Sequence, residues 1–137
     1  MFISDRSEQR KYLAEAWGKY NSNHPLEPLE LQLAKIIESH PEYQKIIKDL
    51  ETEYFPEQGK TNPYLHINLH LSLQDQINLD QPKGVKEIYT NLLNKYNDSH
   101  QVEHLMMEHL AEMIFNSQKY NKSMDLEHYL RSLQELK

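Results

Sequence analysis

The sequence predicts an all-α protein, a compact antiparallel helical bundle of about six to seven helices forming a single domain over residues 1–137. Three observations carry this prediction. Apolar residues recur at three- and four-residue spacing in segment after segment. No segment alternates at period two for long enough to make a strand, and no internal repeat or low-complexity tract stands out. The chain has only three glycines, and its prolines fall where periodic segments stop or restart.

The first helix is expected from about Ser4 to Tyr20, with Leu13, Ala16, Trp17 and Tyr20 on one buried stripe and Trp17 as its anchor. Asn21-Ser22-Asn23-His24-Pro25 breaks it. Pro28 suits the first turn of a second helix carrying Leu29, Leu33, Ile36 and Ile37. His40-Pro41 interrupts again, and a short third helix is expected to gather Tyr43, Ile46, Ile47 and Leu50. Residues 51–61 hold Pro56 and Gly59 without a sustained period and are expected to form a loop. A longer helix then runs from about Pro63 to Leu79, capped by Thr61 or Asn62, before Asp80-Gln81-Pro82-Lys83-Gly84 turns the chain. The next helix has the clearest period: Val85, Ile88, Tyr89, Leu92, Leu93 and Tyr96 all fit the helical template. Asp98 and Gln101, three apart, suggest a capping box for a long helix ending near Tyr120. A final helix after Ser123 or Asp125 is expected to bury Leu126, Tyr129, Leu130 and Leu133.

Composition narrows the chemistry. With 21 acidic against 15 basic side chains the formal charge is −6, which disfavours nucleic acid and anionic membranes as partners. There is no cysteine, so disulfides, thiolate ligands, iron–sulfur clusters and thiol nucleophiles are excluded together. Any metal would need histidine and carboxylate ligands. The N-terminal Met1-Phe2-Ile3-Ser4-Asp5-Arg6 has no apolar run after a basic start, and no stretch approaches the ~20 apolar residues of a membrane span, so a cytoplasmic location is expected.

Eight histidines are many for this length, and two pairs fall on apolar arcs. At about 100° per residue, Leu65, Leu69, Leu73 and Ile77 define one arc, with His66 and His70 inside it or at its near edge. On the long helix after Asp98, Met106, Met107, Leu110 and Ile114 define another. Glu103 lies near the centre of that arc, His100 beside it and His104 beyond. An ionised carboxylate removed from water needs a cation, a metal or donors to meet it. In an up-down-up arrangement the two helices would be parallel with their first turns level, and His66 and His70 would face His100, Glu103 and His104. Such a set can hold zinc or iron through neutral imidazoles and one carboxylate, and nearness to helix N-termini disfavours imidazolium. The competing reading is structural: core histidines bonded to each other, to Glu103 and to Asn68 or Gln74, in a non-enzymatic interaction or scaffold protein. A di-iron site built on His104 and Glu108 lacks its remaining ligands, and a ferritin-like site lacks the paired ExxH motifs.

The other motifs are weaker. Gly59-Lys60-Thr61 resembles the end of a phosphate loop, but Tyr54 stands at its first glycine and no strand precedes it. Asn97-Asp98-Ser99 and Asn121-Lys122-Ser123 match glycosylation sequons and read as caps and turns. His24 and His40, each before a proline, are expected in turns or caps, and His109 and His128 at the surface or its boundary. No serine sits in a nucleophile elbow. Nine tyrosines lie mostly on apolar stripes, more often core than chemistry, leaving room for a homo-oligomer or protein-partner surface.

Ala16-Trp17-Gly18-Lys19-Tyr20, Pro25-Leu26-Glu27-Pro28-Leu29-Glu30, His40-Pro41-Glu42-Tyr43, Asn62-Pro63-Tyr64-Leu65-His66 with His70, Asp80-Gln81-Pro82-Lys83-Gly84 and His100 through Glu108 together give the chain a family likeness. It resembles the bacterial family known as domain of unknown function 1841 over nearly its whole length. Tyr64 stands where that family has Phe, and Phe115 where Trp is common. The resemblance implies a small helical cytosolic bacterial protein and no substrate.

Overall fold

The computed structural model describes residues 6–44, 47 and 63–136. Among them the protein is all-α. Its elements are α1 (Arg6–Asn21), α2 (Pro28–Glu38), a 3-10 turn (Pro41–Tyr43), α3 (Pro63–Leu79), α4 (Val85–Tyr96), α5 (Ser99–Lys119) and α6 (Leu126–Gln134). The short helix expected around Ile46 and Leu50 and the expected loop at 51–61 lie outside the described residues, apart from the 3-10 turn and a buried Ile47. So do the proposed caps Thr61 and Asn62 and the rejected phosphate-loop motif. The chain forms two compact units, 1–68 and 69–137, and α3 contributes residues to both.

In the first unit, α1 and α2 pack through Leu13, Ala16 and Trp17 on one side and Leu33, Ala34, Ile36 and Ile37 on the other, all buried. Pro28 occupies the first turn of α2, where a missing N–H costs nothing. Glu30 fastens the pair twice. Its Oε1 accepts the backbone N–H of Glu27 at 2.9 Å, and its Oε2 accepts Lys19 Nζ from α1 at 2.8 Å. These bonds hold the Glu30 carboxyl below its ordinary value, the Lys19 ammonium first and the Glu27 amide second. The same bond raises Lys19.

In the second unit, Leu73 and Ile77 of α3 join Val85, Leu92, Val102, Met106, Met107, Leu110, Met113, Tyr129 and Leu133 in one apolar cluster. Asp80 Oδ1 accepts the backbone N–H groups of Gly84 and Lys86 and so closes the turn into α4; Gly84, at φ +106°, takes a conformation that side chains disfavour. Asp98 caps α5 by accepting from the amides of His100 and Gln101, and Asp125 caps α6 through the amide of His128. α6 is pinned by Tyr129, whose buried hydroxyl donates to Gln76 Oε1 at 2.7 Å and is pushed by burial well above the ordinary phenol range.

Two expected core positions face solvent. Leu65 is 56% exposed, whereas Leu73 of the same presumed stripe is fully buried. Steps of four residues advance about 40° past a full turn each, so a stripe read at i+4 alone drifts round the helix, and its first member ends up outside. The buried side of α3 begins instead at Tyr64 and Ile67. Leu126 is likewise exposed at the first turn of α6.

The Glu30 linkage has a definite sign. A carboxyl whose folded value lies below its unfolded one contributes stability above the unfolded value, and that contribution is lost as pH falls through the folded value. Urea unfolding as a function of pH is therefore expected to show stability declining below about pH 4.3, with Glu30→Gln removing part of the decline. An unchanged acid slope in that variant would count against the assignment.

Candidate metal centre

In the first unit, His40 ends the turn after α2 and is 2% exposed. Its Nδ1 lies 2.8 Å from the carbonyl oxygen of Ile36. A carbonyl only accepts, so Nδ1 carries the proton and Nε2 presents a lone pair. That lone pair faces His66 Nε2 of α3 at 3.1 Å. The Tyr43 ring stacks on His40 at 5.1 Å between centroids and 7° between planes, and meets the His66 ring edge-on. Next along the first turn of α3, the Arg10 guanidinium lies 4.4 Å above the Tyr64 ring.

The second unit repeats the device. His70 of α3 is 2% exposed, and its Nδ1 donates to Glu103 Oε1 of α5 at 3.0 Å. Its Nε2 is left with the lone pair and faces His104 Nε2 at 3.1 Å. Gln74, one turn beyond His70, donates its side-chain N–H to the same Glu103 oxygen at 3.0 Å. His100 packs its ring against His104 at 4.2 Å and against His70 at 5.3 Å. Glu103, with its side chain 12% exposed, thus receives the compensation that its place on an apolar arc demanded.

Each Nε2 pair is a hydrogen bond in which the second histidine donates. It is also close to a ligand edge, since two imidazole nitrogens held tetrahedrally at about 2.1 Å from zinc lie about 3.4 Å apart. The 3.1 Å separations thus lie within a few tenths of an ångström of that edge, and each ring must also turn to aim its lone pair at a common point. Carboxylate or carbonyl oxygens on the far ring nitrogen are what orient metal-binding imidazoles elsewhere. A cavity of about 550 Å3 lies apart from the two histidine pairs, between the end of α5 and the start of α6, where Met113, Tyr120, Met124 and Leu126 line it.

Of the five residues singled out from sequence, His70, Glu103 and His104 meet through polar atoms, and His100 joins them through ring packing. His66 pairs with His40. Sequence reasoning missed His40, because a histidine before a proline after a helix reads as punctuation. The two roles coincide here: Nδ1 caps the last turn of α2 and thereby turns Nε2 toward His66. Glu108, considered for a di-iron site, is exposed.

The family model described as Domain of unknown function (DUF1841) matches residues 5–135. The chain belongs to this family. Its likeness to the family thus extends through every histidine of both pairs, and the family description adds no reaction or ligand. No curated protein and no solved structure matches the chain. Among the described residues no helix is long and apolar enough to cross a membrane.

Glu103 is expected to show an asymmetry between two substitutions. Glu103→Leu strands the His70 and Gln74 donors and is expected to cost about 2–3 kcal/mol in urea unfolding, whereas Glu103→Gln keeps a carbonyl acceptor and costs under about 1 kcal/mol. Equal costs would show that the two donors do not depend on this oxygen.

Proposed function

We propose that this protein binds one divalent metal ion, zinc or iron, through histidine imidazoles. His70 and His104 form the core of the site, and Glu103 holds His70 from behind. The observation that carries the reading is the His70–His104 contact, with Nε2 atoms 3.1 Å apart and the far nitrogen of His70 tied to a carboxylate. The reading takes His70 and His104, both in the second unit, as its imidazole ligands; the 3.1 Å contact of His40 with His66 is a separate pair within the first unit. His100 packs against the His104 ring at a tilt of 44° and limits its rotation. With imidazole donors and no cysteine, the site suits zinc and ferrous iron and disfavours magnesium and calcium, which prefer oxygen.

A structural reading stays in contention because 3.1 Å is also an N–H···N hydrogen-bond length. Under it the histidines lock helices together and hold no ion. Elemental analysis of protein purified without a His-tag decides between them. Near-stoichiometric zinc or iron is expected, falling in His70→Ala and in His104→Ala, with Glu103→Gln weakening metal affinity about 10–100-fold. Metal should also raise the melting temperature of the chelator-treated wild type, since a ligand bound only by the folded state stabilises it. Wild-type protein that takes up no metal even when zinc or iron is supplied would overturn the proposal.

A further inference from the structure

Glu103 uses only one of its two oxygens to hold His70 and Gln74. Both donors reach Oε1, and among the described residues Oε2 accepts no hydrogen bond. A cavity of about 220 Å3 opens at this carboxylate, lined by Gln74, Ile77 and Asn78 of α3, Tyr89 of α4 and Glu103 itself. It contains a carboxylate, two amide side chains, an aromatic phenol and an apolar wall, with no basic residue.

We propose that this cavity is a binding site for a small organic cation bearing N–H donors, a guanidinium or primary ammonium group, received by Glu103.

The lining fits that class on four counts. Oε2 offers an anionic acceptor at an open cavity beside an apolar wall, and a hydrogen bond to an ionised acceptor is stronger than a neutral one. The Asn78 amide, one turn along α3 from Gln74, supplies a neutral acceptor beside the carboxylate. The Tyr89 ring is of a type that attracts cations, and its hydroxyl, pushed above the ordinary phenol range by burial and then by the Glu103 charge, stays neutral and adds no competing negative charge. Ile77, nearly fully buried, gives the carbon part of such a ligand an apolar wall. The volume is below the usual range for drug-sized ligands, so the site takes a head group or a small amine and not a large substrate. An anion is repelled by Glu103, and a neutral amide lacks the ion-pair attraction that a cation gains there. The site stands apart from the metal reading, because the atom it uses is the oxygen that His70 does not.

The test is a two-dimensional 15N–1H NMR titration of the full chain, freed of metal with chelator, using methylguanidinium and methylammonium, with methylurea as the neutral control. Saturable shifts are expected at the side-chain amides of Gln74 and Asn78 and the backbone amides of Tyr89 and Glu103, with either cation and not with methylurea. Glu103→Gln, which retains the acceptor for His70, should weaken binding at least about tenfold. Asn78→Leu alters an exposed position, fills the cavity and should weaken binding while leaving the folded spectrum otherwise intact. No saturable shift with either cation, an equal response to methylurea, or shifts unaffected by both variants would overturn the proposal and leave a water-filled cavity. Running the titration without metal keeps its outcome separate from the outcome of the metal analysis.

Discussion

A carboxylate on the apolar side of a helix must be met by donors, and the Glu103 clamp on His70 and Gln74 is the constraint on which the second unit's polar interior depends. Removing one partner of a buried charged pair costs far more than the pair contributes, because the other is left unsatisfied. Glu103 Oε1 fixes the register between α3 and α5, since His70 and Gln74, one turn apart, converge on that one oxygen. Around this polar contact the neighbouring positions are occupied by Leu73, Ile77, Met106 and Met107, so the surroundings strengthen the bond and penalise its loss.

The clamp also sets the chemistry of the imidazole. By accepting the hydrogen bond from Nδ1–H it turns Nε2 of His70 toward His104. The Ile36 carbonyl does the same for His40 and His66. Two histidine pairs, one in each unit, thus have an inner ring oriented through Nδ1 by an acceptor oxygen and present Nε2 to the second ring. The unused Oε2 of Glu103 extends the argument outward, since an anionic oxygen at a cavity without a basic neighbour calls for a cationic guest.

Much of the fold was legible in the sequence because α1, α2, α4, α5 and α6 announce themselves through period, proline and caps. Val85 to Tyr96 follow the helical period and form α4 with the same ends, and Asp98 caps α5 where a cap was expected. Glu103 was legible as a charge that required an answer, and Gln74 was among the partners considered. What escaped depended on phase and on distance along the chain. Leu65 escaped because a stripe read at fixed steps of four drifts round a helix. His40 escaped because its partner lies 26 residues on, and nothing local distinguishes a histidine that caps a turn from one that caps a turn and faces another imidazole.

The most direct measurement of the central claim is X-ray absorption at the zinc edge of protein loaded with one equivalent of the metal. The account predicts a first shell of imidazole nitrogens at about 2.0–2.1 Å, with the multiple-scattering signature of several histidine rings, lost in His70→Ala. A first shell of oxygens, unchanged by that substitution, would contradict it.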